Sequence, residues 1–172
     1  MSDKKEIVIK DACILFDLVD LNLLSDFFQL ELIAFTTPQI IAEIRRETQW
    51  IEIAKFIENG KLIIDSNGLN ESIAEIFNKY NGLSYEDSSV LELALRKQAI
   101  VYTSDGRLRK ISERNNLKVR GILWIIDELC AMNIISNQEA IDQLQKYSEI
   151  NKRIPINDVN KLLLKLSPQY GI

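Results

Sequence analysis

The sequence predicts an α/β domain built on a mostly parallel sheet of four to five strands. Short runs rich in Ile, Val and Leu alternate with longer stretches whose apolar residues recur every three or four positions, as buried strands and amphipathic helices require. The chain has 172 residues, 47% hydrophobic and 27% charged, enough to bury one sizeable core without staples. No internal repeat, low-complexity segment or Pro/Gly/Ser-rich linker divides it.

Glu6–Lys10 reads as the first strand, and Ala12–Phe28 as helix bent around Asp20–Asn22. Leu32–Phe35 is the second strand; Thr36-Thr37-Pro38 then caps a helix that carries Glu43 and runs to about Arg46, with a further helix from Trp50 to Glu58. Asn59-Gly60 ends that helix, and Lys61–Asp65 is the third strand. Helices follow over Asn70–Lys79 and from Ser84 to about Lys97, separated by the Asn81-Gly82 turn. Ala99–Thr103 is the fourth strand, Asp105–Glu113 a short helix, and Leu117–Val119 a candidate fifth strand. Gly121–Met132, Asn137–Ser148 and Asn157–Leu166 close the chain as three helices.

Composition narrows the chemistry. With no histidine in the chain, Ser-His and Cys-His triads and imidazole-ligated metals are excluded. Two cysteines, Cys13 and Cys130, make no disulfide framework and point to a reducing compartment. The Ile7-Val8-Ile9 run is too short for a signal-peptide core, and Asp127-Glu128 interrupts the longest apolar stretch, so we expect a cytoplasmic protein that does not enter membranes. No GxxxxGK[ST] loop or GxGxxG turn occurs, and no lysine at SxxK spacing follows Ser25, Ser88, Ser89, Ser112 or Ser148. The net charge of −4 is unevenly spread: residues 1–86 hold 15 acids and 8 bases, residues 87–172 hold 10 and 13. Much of the later surplus lies in Arg107, Arg109, Lys110, Arg114, Lys118 and Arg120, which suits a polyanion near a carboxylate site and equally a solvated helix face.

Ligands of open parallel sheets bind beyond the carboxyl ends of the strands. Asp11 follows the first strand there and Asp105 the fourth, while Glu43 and Asp87 lie on helices that begin on the same side. Taken singly, Asp105 can cap a helix, Asp87 can complete a capping box with Ser84, and Glu43 can lie on a solvated helix face. Converging, the four would be hard oxygen ligands suited to Mg²⁺ or Mn²⁺.

The combination resembles the PIN-domain family of metal-dependent ribonucleases across about residues 7 to 130. The likeness lies in Ile7–Leu15 with Asp11, Pro38–Ile44 with Glu43, Leu83–Leu91 with Asp87, and Val101–Leu108 with Thr103 and Asp105. It implies a three-layer α/β/α sandwich, with residues 1–132 as the catalytic domain and 133–172 as a helical extension packed on it. It also implies that Asp11, Glu43, Asp87 and Asp105 are catalytic and hold Mg²⁺ or Mn²⁺, with Thr103 and Ser104 supporting them. Arg107, Arg109, Lys110 and Arg45 would then touch RNA phosphates, and Tyr85 or Trp50 would stack on bases or pack.

One departure is Cys13, where many relatives carry a small hydroxyl or amide residue; we read its thiol as a small buried hydrophobe. Asp17 and Asp20 read as helix-surface or break residues, with bordering the site as the lesser alternative for Asp17. Toxin-like members of the family imply an antitoxin partner and a homodimer; an inactive RNA- or protein-binding module is the alternative. A phosphoryl-acceptor role for Asp11 lacks the second acid and the strand-end lysine it would need.

Overall fold

The computed structural model describes residues 5–9, 12–151 and 154–167. Five parallel strands, β1 (Lys5–Ile9), β2 (Leu32–Thr36), β3 (Leu62–Ile64), β4 (Ile100–Tyr102) and β5 (Val119–Arg120), form one sheet in the order β3-β2-β1-β4-β5. The chain first builds outward from β1 through β2 to β3, then crosses back to lay β4 on the other side of β1. The strand order therefore reverses between β1 and β4, and the crevice beyond their carboxyl ends is where such sheets take ligands.

Alternation along the strands sorts side chains to two faces. Ile7, Ala34 and Tyr102 enter a core with Ile14, Leu15 and Leu18 of α1 (Ala12–Asp20) and Phe27 of α2 (Leu24–Phe27). Ile53 of α4 (Glu47–Glu58) joins them, as do Ile122, Ile125, Ile126 and Leu129 of α8 (Ile122–Ala131). Phe35 and Val101, one position along, enter the opposite core with Ile40 of α3 (Pro38–Ala42), Val90, Leu91 and Ala94 of α6 (Tyr85–Lys97), and Leu108 and Ile111 of α7 (Gly106–Arg114). This is the expected three-layer sandwich. α5 (Asn70–Lys79) packs on α6. The closing helices α9 (Asn137–Ile150) and α10 (Ile156–Leu166) put Leu144, Tyr147, Leu162 and Leu166 into the first core, continuous with the sheet.

Helix boundaries follow local chemistry. Thr37 caps α3 by accepting from the Ile40 amide (3.3 Å), with Pro38 in the first turn. Ser84 and Asp87 close a capping box on α6, the Asp87 amide donating to Ser84 Oγ (3.0 Å) and the Ser84 amide to Asp87 Oδ2 (3.4 Å). α9 starts in the same way with Ser136 and Glu139.

The helix expected to run from Pro38 to Arg46 stops at Ala42, leaving Glu43 as its C-cap, and the next helix begins at Glu47 rather than Trp50. Ile40 and Ile44 would share one face of a continuous helix. Here Ile40 fills the α6 side of the sheet whereas Ile44 packs on the α1 side, so the chain must leave the helix between them. The fifth strand also falls later than expected, at Val119–Arg120, where the Lys118 carbonyl accepts from the Val101 amide (2.9 Å) and the Arg120 carbonyl from the Thr103 amide (2.9 Å).

Candidate functional site

The carboxyl end of β4 is built as a tight strand-to-helix turn. Thr103 is fully buried, and its Oγ1 accepts from the Asp105 amide (2.9 Å). Asp105 then caps α7, Oδ1 accepting from the amides of Arg107 (2.9 Å) and Leu108 (2.8 Å). The two N–H groups fix the orientation of the carboxylate at the cleft rim. Arg109 donates to the Thr103 carbonyl (3.4 Å) and reaches toward Glu113 (3.9 Å), which keeps its cation beside the same turn.

A cleft of about 800 Å³ opens there, lined by Asp105, Ser104 and Arg109, by Cys13 and Asp17 of α1, by Trp124 of α8, and by Tyr147 and Asn151. A second concavity of about 340 Å³ joins it across α1, sharing Cys13 and Asp17 and lined by Glu43, Arg45 and Arg46. Glu43 and Asp105 thus line concavities that share Cys13 and Asp17 of α1, the helix that follows Asp11 in sequence.

The expected site residues divide into groups. Asp105, Thr103, Ser104 and Arg109 line the larger cleft, and Glu43 and Arg45 the adjoining one. Asp87, Arg107 and Lys110 line neither. Asp87 faces its own capping box. The Arg107 guanidinium donates to the Asn81 carbonyl (3.0 Å) and lies over Gly82, whose φ of +82° favours glycine. Asp11 lies outside the described residues. Among the described residues, no three Asp, Glu or Cys side chains come together as a metal centre.

Cys13, expected to be buried, is exposed on the wall shared by the two concavities. The buried stripe of α1 begins at Ile14 and Leu15, one position on, so the thiol faces out. Of the two aromatics considered for stacking, Trp50 is exposed on α4, and Tyr85 packs edge-on against Phe77 at 6.2 Å.

Sequence reasoning missed the contribution of α9. Tyr147 is buried and donates to Asp17 Oδ2 (3.2 Å), while Asn151 Nδ2 donates to the Tyr147 hydroxyl (2.9 Å), which also hydrogen-bonds Ser104. Burial, then the neighbouring Asp17 carboxylate, pushes the Tyr147 phenol up to about 12, so it stays a neutral donor. The network ties α1 and the β4 turn to the closing helices. Its only sequence signal is the i,i+4 spacing of Tyr147 and Asn151 on an otherwise amphipathic helix.

The donor set at these strand ends is carboxylate oxygen without imidazole, which suits hard divalent cations. No helix among the described residues is long and apolar enough to cross a membrane. A protein called endoribonuclease Nob1, from Methanocaldococcus jannaschii, is 35% identical to this chain over 93 residues, covering 52% of the chain and 46% of the relative. The likeness therefore spans about half of either protein. The PIN-domain family matches from residue 7 to residue 167, taking in the sheet, the cleft and the closing helices alike, and the chain belongs to that family.

Proposed function

We propose that the chain is a metal-dependent endoribonuclease that hydrolyses RNA phosphodiester bonds in the crevice beyond β1 and β4. The observation that carries this reading is the β4 turn, which holds Asp105 by two backbone amides on the rim of a cleft bordered by Asp17 and Arg109. Membership of a nuclease family and a relative named as an endoribonuclease support it. In this reading residues 1–132 are the catalytic unit, and the helices from 133 onward wall its cleft.

Asp11, Glu43, Asp87 and Asp105 would hold Mg²⁺ or Mn²⁺. Bound there, the cation supplies positive charge that favours ionisation of water and offsets charge on the phosphate in an in-line displacement. Thr103 and Ser104 keep the turn in place, Glu43 orients the attacking water, and Arg109 and Arg45 balance phosphate charge from the two concavities. Arg107 and Lys110 would meet the strand farther out. The test is cleavage of a mixed RNA pool with Mn²⁺, with EDTA and with Asp11→Asn: we expect Mn²⁺-dependent cuts lost in the other two, and cuts that persist with EDTA would sink the metal role.

The proposal extends to the toxin of a toxin–antitoxin pair, working as a cytoplasmic homodimer held by a small antitoxin. Induced alone in a bacterium, such a chain would arrest growth until the antitoxin is co-expressed. Undisturbed growth removes that role and leaves the ribonuclease reading standing.

A further inference from the structure

We propose that Arg120 and Trp124 form a stacking site for one unpaired nucleobase of the RNA, in the same cleft that Asp105 lines. This rests on the ribonuclease reading and names the part of the substrate that the cleft receives.

The core-facing stripe of α8 is complete without Trp124: Ile122, Ile125, Ile126 and Leu129 are all buried, whereas Trp124 lies half-buried off that stripe and borders the cleft. Its indole is held in place rather than loose. The buried ring of Tyr102 meets it edge-on at 5.8 Å and 78°, and the Arg120 guanidinium lies 5.3 Å from its centroid. Arg120 is itself anchored, one terminal nitrogen donating to the Val119 carbonyl (3.2 Å). The guanidinium lies over the indole, so the pair is a stack already in place, and its outward flat face is a surface of the kind on which unpaired bases stack.

The rest of the cleft selects a base over other ligands. Asp17, Asp105 and Asp158 border it against Arg109 and Arg120, so a phosphate placed among the carboxylates is repelled unless a cation is bound there. A nucleobase is uncharged, its faces suit the Trp124 wall, and its N–H groups can donate to carboxylates while its carbonyls accept from Asn151 or Ser104. The cleft volume of about 800 Å³ leaves room for one nucleotide with its sugar at the rim. Because duplex bases are already stacked and paired, the site takes single-stranded RNA.

The chain has two tryptophans, so Trp50→Phe leaves Trp124 as the only indole. That variant is titrated with a short single-stranded oligonucleotide in EDTA, where no cleavage competes, and its emission is followed alongside the anisotropy of a labelled oligonucleotide. We expect saturable quenching, an affinity loss of about 5- to 100-fold in Trp124→Leu, and most of the affinity kept in Trp124→Phe. Circular dichroism confirms that each variant is folded. Binding that leaves Trp124 emission unchanged, affinity in folded Trp124→Leu within twofold of the parent, or no oligonucleotide binding at all overturns the stacking site. If quenching is seen but the parent cuts no RNA with Mn²⁺, the stacking site stands and the ribonuclease reading falls.

Discussion

Asp105→Asn is expected to lower RNA cleavage by at least about 100-fold while leaving the thermal midpoint unchanged, and the pairing of those two results is what makes the variant informative. Asp105 has a structural duty that could hide a catalytic one: its Oδ1 accepts from the amides of Arg107 and Leu108 at the start of α7. Asparagine keeps an amide oxygen in that position and caps helices about as well as aspartate, so the turn survives. What it loses is the negative charge that would hold a divalent cation. Asp105→Ala removes both, so it should lose the same activity and in addition about 1 kcal/mol of stability. Cleavage by Asp105→Asn within threefold of the parent, measured on the same RNA with Mn²⁺, would assign Asp105 to capping alone. Asp87 calls for the same comparison, because its carboxylate accepts from the Ser84 amide in the α6 capping box.

What could be read from the sequence follows the range of the forces involved. The β4 turn was legible because a buried apolar run, Thr103, and then Asp105 opening a polar helix form a local unit whose hydrogen bonds span two or three residues. The capping box of α6 and the Thr37-Pro38 start of α3 were legible for the same reason. The end of α3 was not. It depends on Ile40 and Ile44 being drawn to opposite faces of the sheet, a demand that arises only once the layers are assembled. The cleft wall was hidden for a related reason: Tyr147 reaches Asp17 across 130 positions of sequence, and nothing near either residue marks the partner. Basic residues show the limit of charge counting. Arg107 and Arg109 are two apart in one cationic stretch, yet one guanidinium lies on the Asn81-Gly82 turn and the other on the cleft.

Away from the cleft, Arg96→Met should destabilise the fold by about 3 kcal/mol, the largest stability effect we expect of a single side chain here. Arg96 donates to Asp65 Oδ1 (2.9 Å) and to Glu92 Oε1 (3.0 Å), and both carboxylates belong to residues only 8% exposed. Burial pushes the Asp65 carboxyl up, but hydrogen bonds from Arg96 and the Asn67 amide, with the charges of Arg96 and Lys97, outweigh it and hold the group below its ordinary range. Asp65 therefore contributes stability that is fully present above the unfolded carboxylate pKa, near about 4, and is lost as pH falls through the lower folded value. Remove Arg96 and two nearly buried carboxylates face each other without their main partner. The folded pKa of Asp65 should then rise, so the variant's penalty is greatest at neutral pH and shrinks on acidification, when its protonation relieves the unpaired charge. The estimate sits at the low end for broken buried pairs because the Arg96 side chain is 33% exposed and solvent screens part of the loss. At roughly 2–4 °C per kcal/mol for a domain of this size, the midpoint should drop by about 6–12 °C at pH 7 and by clearly less at pH 4.5. A gap between parent and variant that widens toward low pH would show that the carboxylates are stabilised by something other than Arg96. Replacing all three residues by apolar ones of similar volume should restore most of the loss, since the cost comes from charges left unpaired rather than from an ion pair forgone.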